Sequence, residues 1–255
     1  TMTTGLEHIK IRVVNVAKEV YPYVARAKKQ KDFERFSQTG VVRLLLPELL
    51  ADYDVVLNVD CDLLVRSDLW NLFQIELNDA YMMGTTDSIA CFQNMRSSDG
   101  YKSQFGDVHL FDELALASVD EYLNAGVFVL NLKQIRRSFS PQEIMAYATK
   151  TGKFFICYEQ DTFNGLFRER KKKFSATWNW ECEPFIREEI VHNCPSQTRW
   201  VQEYIEAERN PKVVHFAGNV KPWIHTRMPW ADDWWRVAER TPFFREICQR
   251  TREGK

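Results

Sequence analysis

The sequence predicts an α/β fold, a sheet with helices on its faces. Three observations carry this. Short β-branched runs recur at 55–59, 127–130 and 213–216. Segments with helical apolar spacing lie between and after them. One of these segments opens with a clear helix-start signal, Ser140-Pro141-Gln142-Glu143.

In chain order, Ile11-Arg12-Val13-Val14-Asn15-Val16 reads as a strand, and residues 18–38 as helix and loop over a surface. Val41 to Leu50 reads as a buried helix whose last turn Pro47 distorts. Val55-Val56-Leu57-Asn58-Val59 reads as a buried strand, and Tyr81 to Thr86 as another. Asn124-Ala125-Gly126 leads into a third strand at Val127-Phe128-Val129-Leu130. The helix begun at Ser140 is followed by one over Glu159 to Phe167, with Phe163, Leu166 and Phe167 on one side. Val213-Val214-His215-Phe216 is a late strand, and Trp230, Trp234, Val237 and Ala238 stand at helical spacing in the tail.

Bulk properties exclude several classes. A chain of 255 residues, 45% hydrophobic and 27% charged, supports an ordinary globular core. The formal net charge of -1 argues against nucleic acid as a partner. No apolar run approaches the roughly 20 residues that span a bilayer, and no signal peptide opens the chain. The six cysteines form no CxxC pair, against a zinc ribbon or a thioredoxin-type site, and fit a reduced, cytoplasmic setting.

The sharpest local signal is Asp60-Cys61-Asp62. Residues two apart in a strand face one side, so both carboxylates point one way, beyond the end of a strand where α/β sheets bind ligands. Two hard oxygen ligands suit Mg²⁺ or Mn²⁺ bridging a diphosphate. Alone, such a pair reads more often as solvated acids at a strand end, and here the apolar run before it and the partners below reverse that. The second signal runs from His215 to Trp223: His215 ends a strand, Gly218 lets backbone approach phosphate, and Lys221 offers a point charge, though by itself the segment reads equally as a strand and turn with Lys221 in solvent. The third is Tyr122 to Gly126, with Asn124 suited to sugar hydroxyls and Ala125 and Gly126 leaving room for a pyranose ring, though by itself it reads equally as a turn before a strand. The fourth is Glu159-Gln160-Asp161, whose acids suit a helix start and whose Gln160 that account leaves unexplained.

Four segments in this order resemble family 8 of the retaining glycosyltransferases, which have a GT-A fold. They are Arg43-Leu44-Leu45-Leu46-Pro47 leading to Asp60-Cys61-Asp62, Tyr122 to Asn131, Gln160-Asp161 with Asn164, and His215 to Trp223. Trp234-Trp235 with Thr241-Pro242-Phe243 is similar to its bacterial members, which include lipopolysaccharide galactosyl- and glucosyltransferases. The resemblance implies a mixed sheet flanked by helices, with a catalytic domain over 1–222 and a helical tail over 223–255. It implies Mn²⁺ (or Mg²⁺) on Asp60, Asp62 and His215, and a diphosphate held by Gly218 and Lys221. Arg43, Asp87, Asn124, Ala125 and Gly126 would line the donor-sugar pocket. Gln160, with Asp161 beside it, would stand near the anomeric carbon.

Three departures follow from the same comparison. Asn58 stands where the family often has tyrosine, and Glu159 where it often has aspartate. The chain begins around the strand that follows the family's first βαβ segment, so uridine contacts are not assigned. The implied activity is transfer of glucose or galactose from a UDP-sugar to lipopolysaccharide or another glycan or lipid-linked acceptor. Acceptor loops are expected at 92–112 and 175–205. Two rival readings are a nucleotidyltransferase of similar fold and an inactive nucleotide-sugar-binding fragment. The tail has two readings as well. It is either a packed helix with its arginines in solvent, or a weak contact with anionic lipid at the inner membrane face.

Overall fold

A computed structural model of the chain describes residues 10–27, 38–96, 110–151 and 157–252. The strands are β1 (Val55–Val59), β2 (Leu63–Val65), β3 (Met82–Gly84), β4 (Val127–Asn131), β5 (Lys171–Lys173), β6 (Trp180–Glu181) and β7 (Val213–His215). They form two sheets, one ordered β1-β4-β3-β5 and one ordered β2-β7-β6. β4 pairs antiparallel with β1 and β3, and β3 pairs parallel with β5. β7 pairs antiparallel with β2 and parallel with β6.

β4 shows how the core is divided. Its side chains alternate across the sheet. Phe128 and Leu130 enter one apolar cluster with Met82, Phe163 and Phe167. Val127 and Val129 enter another with Leu72, Met83, Trp178 and Val213. The first cluster is covered by α1 (Ala17–Ala27), α2 (Gln38–Leu44), α3 (Leu46–Leu49), α7 (Leu132–Ser138), α8 (Pro141–Thr151) and α9 (Tyr158–Leu166). Helices α4 (Trp70–Phe73), α5 (Ser88–Arg96) and α6 (Leu110–Glu113) link the strands between. α10 (Pro184–Asn193), α11 (Arg199–Arg209), α12 (Ala231–Glu239) and α13 (Phe244–Arg252) follow β6 and β7.

The start of α8 has both halves of a capping box. The Ser140 amide donates to Glu143 Oε2 at 2.7 Å, and the Glu143 amide donates to Ser140 Oγ at 3.2 Å. In the tail, Trp230, Ala231 and Trp234 pack into a third cluster with Leu64, Phe92, Trp180, Trp200 and Phe216. Trp234 also meets Trp223 with ring centroids 5.3 Å apart, while Val237, expected in the same stripe, faces outward. All six cysteines are free thiols, and among the described residues no helix is long and apolar enough to cross a membrane.

Several expectations are corrected. Ile11–Val16 is not a strand: the segment is irregular and runs into α1, and Val13 is almost fully exposed, with no neighbouring strand among the described residues to bond it. Val41–Leu50 is two helices broken at Leu45, because Pro47 starts a new first turn instead of distorting an old last one. β1 is only half-buried, because it lies at the end of the described sheet while β4 takes the middle. Residues 175–205 are not an open loop. Trp200, Val201, Tyr204 and Ala207 form the buried stripe of α11, at spacings of one, three and three residues. Most of the other expected acceptor loop, 97–109, lies outside the described residues.

Candidate active site

The site lies where the two sheets meet. The Asp60 amide donates to Gly126 O at 2.8 Å, extending the β1–β4 ladder by one residue. The Asp62 carbonyl accepts from the Phe216 amide at 3.0 Å, which starts the β2–β7 ladder. Asp60-Cys61-Asp62 therefore steps from one sheet to the other, and His215 closes β7 opposite Leu63. One ligand atom each from Asp60, Asp62 and His215 lies within 4.8 Å of the others. His215 Nε2 is 3.8 Å from Asp60 Oδ2 and 3.5 Å from Asp62 Oδ1. Atoms bound at about 2 Å to one ion stand roughly 3 to 4 Å apart, so two carboxylates and an imidazole at these spacings fit a divalent cation.

Two cationic side chains complete the charge balance. Arg43 bonds Asp60 and also Glu159, the latter at 3.1 Å, tying α2 and α9 to the end of β1. Lys221 donates to Asp62 Oδ2 at 2.5 Å and to Phe216 O. Burial works to raise the Asp62 carboxyl, but the His215 ring and the Lys221 ammonium outweigh it and hold the group well below the usual carboxylate range. Gly218 has φ +75, a left-handed value that glycine adopts without strain, and this turns the chain from β7 toward Lys221.

Beside this corner is a buried polar network. Asp87 Oδ1 accepts from the Ala90 amide at 2.7 Å. Asp87 Oδ2 accepts from Gln160 Nε2 at 2.7 Å and from Asn124 Nδ2 at 3.0 Å. Gln160 Oε1 accepts from the Ala125 amide at 2.7 Å. The sequence-predicted residues Asp87, Asn124, Ala125 and Gln160 thus stand together. Gly126 does so for a different reason than room for a sugar. A Cβ there would lie 2.2 Å from His215 Cε1, so the missing side chain makes room for the imidazole.

Asp161 is not part of this group. It is fully buried, with its oxygens accepting from the Tyr122 hydroxyl and, at 2.7 Å, from the Cys157 amide at the start of α9. Two residues in the network were not singled out from the sequence. Asn179 bonds His215, Asn124 and Thr85. Glu181 accepts from Asn124 Nδ2 at 3.1 Å and from the Ser88 amide at 2.6 Å. Burial pushes the Glu181 carboxyl well above its ordinary range, and the neighbouring Asp87 charge adds to this. The one signal for both was Trp178-Asn179-Trp180-Glu181, where polar residues alternate with large aromatics.

A profile of glycosyl transferase family 8 matches residues 4–227. Among curated proteins, General stress protein A of Bacillus subtilis is 21% identical over 210 residues, covering 80% of this chain and 66% of its own length. A putative glycosyltransferase of Haemophilus influenzae is 22% identical over 158 residues, 59% of this chain and 44% of that one. The WbbM bifunctional glycosyltransferase in its apo form superposes with TM-score 0.69 at 25% identity, over 85% of this chain and 38% of that one. Galactosyltransferase LgtC, solved in complex with donor and acceptor sugar analogs, superposes with TM-score 0.65 at 21% identity, over 94% and 89%. The fold is that of the GT-A glycosyltransferases, and the site lies where its two sheets join. Within that class, this chain belongs to glycosyl transferase family 8.

Proposed function

We propose that the chain moves a hexosyl group, glucose or galactose, from a UDP-sugar to a glycan or lipid-linked acceptor such as lipopolysaccharide, with retention at the anomeric carbon. In this reading residues 1–222 are the catalytic part and 223–255 a tail, and the enzyme works in the cytoplasm beside the inner membrane face. The observation that carries the reading is the convergence of Asp60, Asp62 and His215 within 4.8 Å, beside both Lys221 and the Asp87–Asn124–Gln160 network.

Asp60, Asp62 and the neutral His215 ring would hold Mn²⁺ or Mg²⁺, which supplies positive charge to the diphosphate. Lys221 adds fixed positive charge where negative charge grows on the leaving UDP. Gly218 lets the backbone turn close to that diphosphate, and Arg43 keeps Asp60 oriented. Asp87 keeps lone pairs to accept from a sugar hydroxyl, and Asn124 and Ala125 shape the floor on which the ring rests. Gln160 is an amide with both polar atoms engaged, a poor nucleophile. That favours attack by the acceptor hydroxyl on the face the diphosphate leaves, the departing phosphate oxygen taking the hydroxyl proton.

The test is a donor screen with UDP-glucose and UDP-galactose, with and without Mn²⁺, following UDP release and the anomeric configuration of the product by NMR. Release should need the cation, vanish in Asp60→Asn and Asp62→Asn, and give retained product. Inverted product would overturn retention, and no release from any UDP-sugar would overturn the donor assignment.

A further inference from the structure

The orientation of the His215 ring can be derived from groups that cannot turn around. Asp87, a carboxylate, only accepts, so the Asn124 atom 3.0 Å from its Oδ2 is the donor Nδ2. The Gly126 amide only donates, so the Asn124 atom 2.7 Å from it is Oδ1. Asn124 is therefore fixed at both ends. Its Oδ1 has a second neighbour, Asn179, at 2.8 Å. Two oxygens would repel there, so Asn179 presents Nδ2, whose other hydrogen reaches Thr85 Oγ1 at 3.2 Å. Asn179 Oδ1 is then left facing His215 Nδ1 at 3.0 Å. A carbonyl oxygen needs a donor, so the ring proton sits on Nδ1. In the neutral ring, the form that can ligate a cation, Nε2 is then the atom with the lone pair, and it faces Asp60 and Asp62.

We propose that Asn179 is a positioning residue that sets the His215 tautomer for cation binding and ties the cation corner to Asn124 and Asp87 of the sugar pocket. The proposal rests on the cation and donor reading given above. Asn179 has the geometry for both tasks. It is buried, each of its polar atoms has a partner, and one amide group spans the two parts of the site. Outer partners of metal-bound histidines act in this way by fixing tautomer and ring angle.

Two measurements on the full chain test it. The first is the ¹⁵N NMR spectrum of the neutral His215 ring, assigned by difference against His215→Gln. A proton on Nδ1 is expected, and a proton on Nε2 overturns the proposal whatever any variant does. The second is Mn²⁺ titration in the presence of UDP, read by loss of the free-ion EPR signal. Asn179→Leu, with no acceptor for Nδ1, should bind Mn²⁺ about 10- to 100-fold more weakly. Asn179→Asp keeps the acceptor and loses the donor to Asn124, so its Mn²⁺ binding should stay near wild type while its KM for the sugar donor rises. A folded Asn179→Leu with wild-type Mn²⁺ affinity overturns the proposal. Absence of Mn²⁺ binding by the wild type would instead overturn the cation reading, and the NMR arm would still decide the tautomer.

Discussion

At the scale of single residues, Gly126 is tightly constrained by the site itself. An alanine Cβ would stand 2.2 Å from His215 Cε1 and 2.5 Å from its Nδ1, distances that force the ring away. Moving the ring would also disturb the 3.0 Å contact of its Nδ1 with Asn179 Oδ1. Gly126→Ala should cost about 1–3 kcal/mol of stability through overpacking. It should also weaken Mn²⁺ binding about 10- to 100-fold, as misplaced ligands do. Thermal melts and an Mn²⁺ titration on the same sample check both, and a folded variant with unchanged affinity would remove His215 from the ligand set. That Asp60, Asp62 and His215 stand together was legible in the sequence from their places at strand ends, although the two carboxylates converge through a step between sheets and not along one strand. Asn179 and Glu181 were not, since their partners are 36 to 94 residues away and only the fold brings them close.

At the scale of elements, β5 makes a testable case. It is a run of three lysines at the end of the four-stranded sheet. Lys171 turns inward and donates to Glu121 O at 2.7 Å and to Asn164 Oδ1 at 3.0 Å. Burial pushes its ammonium down to about 8. An unfolded lysine holds its proton to higher pH, so between about pH 8 and pH 10 the unfolded chain binds a proton that the folded chain has released. Stability therefore rises with pH across that window, and below it the cost of burying the charge is fully present. Urea unfolding should show the wild type gaining about 2 kcal/mol relative to Lys171→Met over this range. A constant difference between the two would show that Lys171 titrates normally. Element boundaries were legible where a local signal fixed them, as at Ser140 and Glu143. They were misread where tertiary partners decide, as at Ile11–Val16, whose β-branched residues find no neighbouring strand among the described residues, and at α11, whose apolar stripe faces Trp180.

At the scale of the whole molecule, the tail has two faces. Trp230 and Trp234 are spent on the core, while Ile224, Val237 and Phe243 remain exposed near Arg227, Arg236, Arg240 and Arg245. Such a surface fits shallow contact with anionic lipid, with Asp232, Asp233, Glu239 and Glu246 limiting its strength, Asp233 by pairing with Arg236 at 2.8 Å. The chain should pellet with anionic liposomes at low salt and be released as salt is raised, because exposed charges are screened over about 10 Å at 0.1 M. Failure to pellet at low salt would leave the tail a purely internal brace. The step of Asp60-Cys61-Asp62 from one sheet to the other has a mechanical meaning as well. Neither layer alone holds the whole ligand set, so the pocket comes into being only once both layers have docked. A cation seated there would act as a rivet through the seam. Its grip would resist sliding of one layer over the other, and slack in the seam would loosen the grip on the ion.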